Sequence, residues 1–152
     1  IVLHFIGHLQ SNKVNKALEI FDVFHTIDSI KIIDEIANTM YKNNFDAMSK
    51  KFFIQVNIGN EEQKSGSDVN NIKELIEHAK QQNIKIDGLM IIPPTNQSKG
   101  DNSNIAGYFA LAKKLSLQNN LQYTSMGMSS DFEIALKLGA THIRLGSILF
   151  KD

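Results

Sequence analysis

Six short apolar runs, each separated from the next by a longer stretch, restrict this chain to folds in which parallel strands alternate with covering helices. The runs predict strands near Val2 to Ile6, Val23 to Thr26, Phe52 to Ile58, Asp87 to Ile92, Tyr123 to Met126 and His142 to Leu145. Between them, Ile30, Ile33, Ile36, Ala37 and Met40 recur at helical spacing from Ser29 to Asn43, and Val69, Ile72, Leu75, Ile76 and Ala79 do so from Asp68 to Gln82. Ser130 and Glu133 have the spacing of a capping box, which predicts a helix start there, and Gly139 is placed to end that helix in a left-handed conformation. The Pro-, Ser-, Asn- and Gly-rich stretch from Pro93 to Asn104 reads as a loop inside the alternation, not as a linker between domains.

Six βα units suit either an open doubly wound sheet or a barrel, and strand chemistry favours the barrel. Outward side chains of a βα barrel lie under helices and are apolar, whereas lumen-facing positions can be polar. From Phe52 to Ile58 one parity is Phe52, Ile54, Val56 and Ile58, and the other brings Gln55 and Asn57 together. In the last strand Ile143 and Leu145 share one face and His142 and Arg144 the other; His4 adds a polar group to the first. A complete barrel has eight units and about 200 residues or more. The chain has 152 residues and starts without Met inside an expected strand, so two units of roughly 30 residues each are expected upstream. Residues 1–152 are expected to form one domain, the six C-terminal βα units of a TIM-type barrel.

Sixteen basic and sixteen acidic residues cancel, which removes the long-range field expected of a nucleic-acid or anionic-membrane binder. With no cysteine there is neither a disulfide framework nor a thiolate metal site, and the five histidines lack the spacing of a zinc site. No apolar run approaches the ~18 residues of a membrane span, and the first residues lack a signal peptide's basic lead, so the expected location is cytoplasmic.

Two turns offer chemistry. Arg144-Leu145-Gly146-Ser147 ends the last strand: the glycine lets backbone approach a ligand, and the serine offers a hydroxyl and an N–H to a phosphate oxygen. On its own this motif is weak and reads more readily as an ordinary strand-ending turn. The run Ser125-Met126-Gly127-Met128-Ser129-Ser130-Asp131 passes from a strand end into a helix start, where N–H groups and the helix dipole attract an anion, although Ser129 or Ser130 is also expected to cap the helix. Together the turns match the phosphate site common at the last two strands of such barrels. Arg144 is either a ligand contact or half of a structural ion pair, while His4, His142, Gln55 and Asn57 either line the same cavity or are satisfied interior polar groups.

The run His4-Phe5-Ile6-Gly7-His8-Leu9-Gln10-Ser11-Asn12-Lys13 resembles the signature of the pyridoxal phosphate homeostasis proteins, barrels related to the N-terminal domain of alanine racemase. The resemblance continues through His25-Thr26-Ile27-Asp28, Gln55-Val56-Asn57-Ile58, Lys64-Ser65-Gly66, Gly88-Leu89-Met90 and the two turns, covering essentially the whole chain in order. It implies binding of pyridoxal 5'-phosphate (PLP), with the phosphate on Ser129, Gly146 and Ser147, the pyridine nitrogen facing Arg144, and His4 and Asn57 among the cofactor-binding residues. An arginine there only donates, so the pyridine nitrogen stays an uncharged acceptor and the ring is a poorer electron sink. The resemblance accordingly implies a non-catalytic carrier or regulator of vitamin B6, with PLP-dependent apoenzymes as possible recipients.

In the family the Schiff-base lysine lies on the first barrel strand, upstream of this chain, and none of Lys13, Lys51, Lys64 and Lys85 replaces it. At the other end, Phe150 is followed by Lys151 and Asp152 where the family has Gly and a short tail. Two enzymatic alternatives stand beside the carrier: a minimal PLP-dependent amino-acid racemase, and a barrel enzyme acting on another phosphorylated metabolite.

Overall fold

The computed structural model describes residues 1–61, 63–94 and 103–150. Most of the loop expected from Pro93 to Asn104, and the terminal Lys151 and Asp152, lie outside the described residues.

Six parallel strands form one sheet in the order β1-β2-β3-β4-β5-β6: His4–Phe5, Val23–Ile27, Lys51–Val56, Ile86–Ile91, Tyr123–Met128 and His142–Arg144. An open doubly wound sheet reverses its strand order at a switch point, whereas a barrel wall keeps chain order. The unbroken order therefore sides with the barrel. The helices are α1 (Val14–Ile20), α2 (Ile30–Asn43), α3 (Ile72–Gln81), α4 (Ser103–Gln118) and α5 (Phe132–Lys137).

Side-chain alternation divides the interior in two. Phe52, Ile54 and Val56 join Phe24, Leu89 and Ile91 in a large core with Leu18, Ile33, Ile36, Ile72, Leu75 and Phe109 of the helices. The intervening Phe53 belongs to a separate small cluster with Val23 and Met90, against which Ile92 and Tyr123 pack. That second face is the lumen. Burial of the first face is the main source of stability, each fully buried Ile, Leu or Phe contributing about 1.5–3 kcal/mol before conformational entropy is subtracted.

Helix α2 buries Ile32, Ile33, Ile36 and Met40 and ends at Asn44, whose left-handed backbone (φ 53°) lets its N–H reach the carbonyls of Met40 and Tyr41. Helix α5 departs from expectation at its start. It begins at Phe132 with Asp131 in the N-cap position, so neither Ser129 nor Ser130 caps it and the expected Ser130–Glu133 capping box does not form. The physical reason is Asp131, whose Oδ1 accepts the Met128 N–H at 2.6 Å and folds residues 128–131 into a turn before the helix starts. Its end is as expected, with Gly139 at φ +89°.

Strand β2 carries a bulge. Phe24 pairs with Phe52 and Ile27 with Ile54, so His25 and Thr26 together oppose the single residue Phe53. The extra residue shifts side-chain parity and leaves buried His25 Nδ1 and Thr26 Oγ1 without hydrogen-bond partners among the described residues.

Candidate functional site

The ends of β5 and β6 bring the two sequence turns together. Gly127 has φ +91°, and a Cβ on it would lie 2.6 Å from the Ala135 Cβ, so only glycine lets strand β5 close against α5 here. Beyond it, the Ser129 Oγ accepts the backbone N–H groups of Gly146 (3.2 Å) and Ile148 (3.4 Å). These donors open a single 3-10 turn, Ser147–Leu149, whose N-cap Gly146 has no side-chain cap. A Cβ on Gly146 would meet nothing within 4 Å, so the space above the turn is open. Two N–H groups aimed at one exposed oxygen are the donor geometry that an anionic oxygen requires.

Arg144 lies beside this cradle, with Nη1 donating to Ser125 Oγ at 2.8 Å and Nη2 to the Ile91 carbonyl at 2.9 Å. Both acceptors are neutral, and no carboxylate among the described residues lies within ion-pair distance of the guanidinium. Burial draws its pKa below the ordinary value, and the charge on Asp131 pushes it back up. The structural ion pair weighed for Arg144 is thus absent among the described residues. The cation keeps N–H groups to spare, and a partly buried guanidinium with only neutral partners favours an additional acceptor.

Of the other expected site residues, Gln55 and Asn57 line a cavity with Ile92 beyond the ends of β3 and β4, and the two histidines lie apart from it. His4 and His142 are the first residues of their strands, at the end of the lumen opposite the cradle. There His4 Nδ1 lies 2.9 Å from His25 Nε2, and the His4, His25 and His142 rings are 5.2 to 5.8 Å apart around Phe53 and Tyr123. Alternation correctly assigns the face of a strand residue, but its level along the lumen depends on the register between strands, which one sequence does not display. Asn57 stands at the cradle's end of β3 with both ends of its amide in use: Nδ2 donates to the Glu61 carbonyl at 2.8 Å and Oδ1 accepts the Glu61 N–H at 3.1 Å. Gln55 similarly donates to the Ser65 carbonyl at 3.1 Å. These two hold the 57–67 loop, where Lys64 pairs with Glu61 and reaches the Pro93 carbonyl at 3.4 Å.

Sequence reasoning overlooked Ser125 as the acceptor for Arg144 and Asp131 as the clamp of the turn. Their signal was the spacing within Ser125 to Asp131, which puts one at the strand end and the other at the helix start. No group of three or more metal-ligand side chains occurs among the described residues.

A wall of parallel strands kept in chain order defines an α/β barrel fold of the alanine racemase type. Alanine racemase of Clostridium difficile 630 superimposes with a TM-score of 0.76 at 13% identity, over 100% of this chain and 40% of that one, a likeness of fold alone. The chain belongs to the family of pyridoxal phosphate homeostasis proteins: it is 40% identical to the member from Synechocystis sp., over 98% of this chain and 69% of that protein. It is also 40% identical to the Aquifex aeolicus member, over 98% of this chain and 66% of the relative, so it spans a little under two thirds of that protein's length. PipY of Synechococcus elongatus PCC7942, solved with PLP bound, matches with a TM-score of 0.83 and 31% identity, over 99% of this chain and 71% of that one. No protein-family model matches the chain.

Proposed function

We propose that this chain binds pyridoxal 5'-phosphate and serves PLP homeostasis in the cytoplasm as a carrier or regulator without a reaction of its own. The observation that carries the reading is the cradle beside Arg144: two aligned N–H donors, an open space above Gly146, and a cation with neutral partners only. These features fit a phosphorylated pyridine. Ser129, Gly146 and Ser147 would hold the phosphate, with the Ile148 N–H directed at the same place as that of Gly146, and Arg144 would face the ring nitrogen. When bound, PLP supplies an aldehyde that condenses reversibly with amines. Arginine at the ring nitrogen keeps that nitrogen unprotonated and so disfavours carbanion chemistry, which supports a carrier over a racemase.

His4 and Asn57, included among the cofactor-binding residues on resemblance, act at one remove in this reading. Asn57 shapes the loop above β3, and His4 belongs to the imidazole cluster at the far end of the lumen. The covalent lysine belongs to a strand that the family has before those described, with PLP-dependent apoenzymes as recipients.

An absorbance titration with PLP and with pyridoxal tests the reading. PLP is expected to bind at least about tenfold more tightly than pyridoxal, a preference that Ser129→Ala largely removes, since a charge-assisted hydrogen bond contributes roughly 1.5–3 kcal/mol. Borohydride is expected to leave no adduct on Lys13, Lys51, Lys64 or Lys85. Equal affinity for PLP and pyridoxal would remove the cradle assignment, and a reduced adduct on one of those lysines would relocate the covalent site.

A further inference from the structure

The opposite end of the lumen holds a recess of about 470 Å3 where the first residues of four strands meet: His4, Val23, Lys51 and His142, with Ile1, Val2 and Asp22 at its side. The Lys51 ammonium donates to the Tyr123 hydroxyl at 3.1 Å and lies 4.6 Å from that ring's centroid, and it has no carboxylate partner among the described residues. Asp22, the acid in the recess, accepts the Leu3 N–H on Oδ2 at 2.8 Å.

Hydrogen-bond accounting assigns the histidine protons. His4 Nδ1 faces His25 Nε2, and His25 Nδ1 is buried without a partner. Burying an orphaned N–H is rarer than burying an under-used acceptor, so the proton between the rings belongs to His25 Nε2. Neutral His4 then carries its own proton on Nε2, which has no partner among the described residues and is available as a donor. His142 is the reverse case. Its Nδ1 lies 2.9 Å from Thr141 Oγ1, and that hydroxyl can give its proton to the Thr124 carbonyl at 3.2 Å. With Nδ1–H directed at Thr141, neutral His142 has a bare Nε2 and can donate there only once protonated.

We propose that this mouth of the lumen is a second ligand site, one that binds a small oxyanion through Lys51 and His4 and takes up a proton on His142 as it does so. The charges explain the coupling. With His142 neutral, Lys51 and Asp22 cancel; with His142 protonated, the recess is net cationic. His142 resists that proton in the empty recess because burial, then His4, then Lys51 lower its pKa. Among the described residues, His25, Tyr123 and Arg144 are the other titratable side chains directed into the same lumen, and none of them is a carboxylate. An anion beside Lys51 offsets the repulsion, and by linkage the proton strengthens anion binding to the same degree. The site is separate from the Ser129 cradle and does not depend on the cofactor reading.

Titrating inorganic sulfate, which does not itself take up a proton at these pH values, into the full-length protein while following the histidine ring resonances decides the matter. Saturable shifts are expected at His4 and His142 and none at His78, which is hydrogen-bonded to Asp34 on the outer helices. Binding should tighten as pH falls from 8 to 6, by up to about tenfold per unit for uptake of one proton. Lys51→Met should weaken it by at least about tenfold, Lys51→Arg should retain it, and His142→Asn should abolish the pH dependence. Shifts that do not saturate, that persist unchanged in Lys51→Met, or that are independent of pH would each overturn the proposal.

Discussion

Arg144 and His25 are both polar residues of the lumen, and they meet opposite demands. A guanidinium stays charged however deeply it sits, so Arg144 is stabilised by two neutral acceptors and by the nearby charge on Asp131. An imidazole can shed its proton instead. Burial, then the neighbouring His4, His142 and Arg144, lower the His25 pKa to about 3. Because the unfolded imidazole titrates near 6.5, the unfolded chain holds more protons than the folded one between those values, and stability is lost as pH falls through that window. At pH 4.5 the His25 contribution is expected to be on the order of 2 kcal/mol. Urea denaturation at pH 7.5 and 4.5 checks this: His25→Asn should lose distinctly less stability over that interval than the unsubstituted protein, and equal losses would assign the acid sensitivity to other groups. The polar residues of the lumen were legible in sequence as types and faces. Their hydrogen-bond partners were not, because Ser125 is 19 positions from Arg144 and Ile91 is 53.

At the scale of elements, the 57–67 loop is built inward from strand β3. The Gly66 φ of +123° turns the chain, and a Cβ there would lie 2.7 Å from the Asn57 backbone nitrogen. The Asn57 amide then bridges to Glu61 in both directions. Asn57→Ala should therefore raise amide hydrogen exchange within residues 57–67, by about 1–2 kcal/mol of local opening free energy, while strands β2 to β4 retain their protection. Uniform loss of protection across those strands would show that Asn57 supports the sheet instead of the loop. Strands and long helices were readable because their apolar periods differ, 2 against 3.6. The bulge at His25 and Thr26 and the late start of α5 were not, since each depends on how a neighbouring segment packs and not on local propensity.

For the whole molecule, the outer edges of β1 and β6 carry no paired strand among the described residues, and exposed apolar groups lie along both. Ile1, Val2, Leu3 and Ile6 accompany the first, and Ile148, Leu149 and Phe150 follow the second. With a net charge of zero there is little repulsion to keep such edges apart, so the 152-residue chain is expected to self-associate as its concentration rises. Sedimentation velocity would detect this, and Leu3→Lys should shift the equilibrium toward monomer; a monomer at all concentrations would mean that the edges are shielded. By itself the sequence determined the alternation of strand and helix, the inward and outward faces, and the family, because periodicity and local motifs are properties of consecutive residues. Only the tertiary structure decided which strands adjoin, at what level each polar side chain enters the lumen, and that Arg144 and the cradle share one end while the histidines occupy the other. Those relations are fixed by inter-strand register and by packing between segments distant in sequence, which local pattern does not encode.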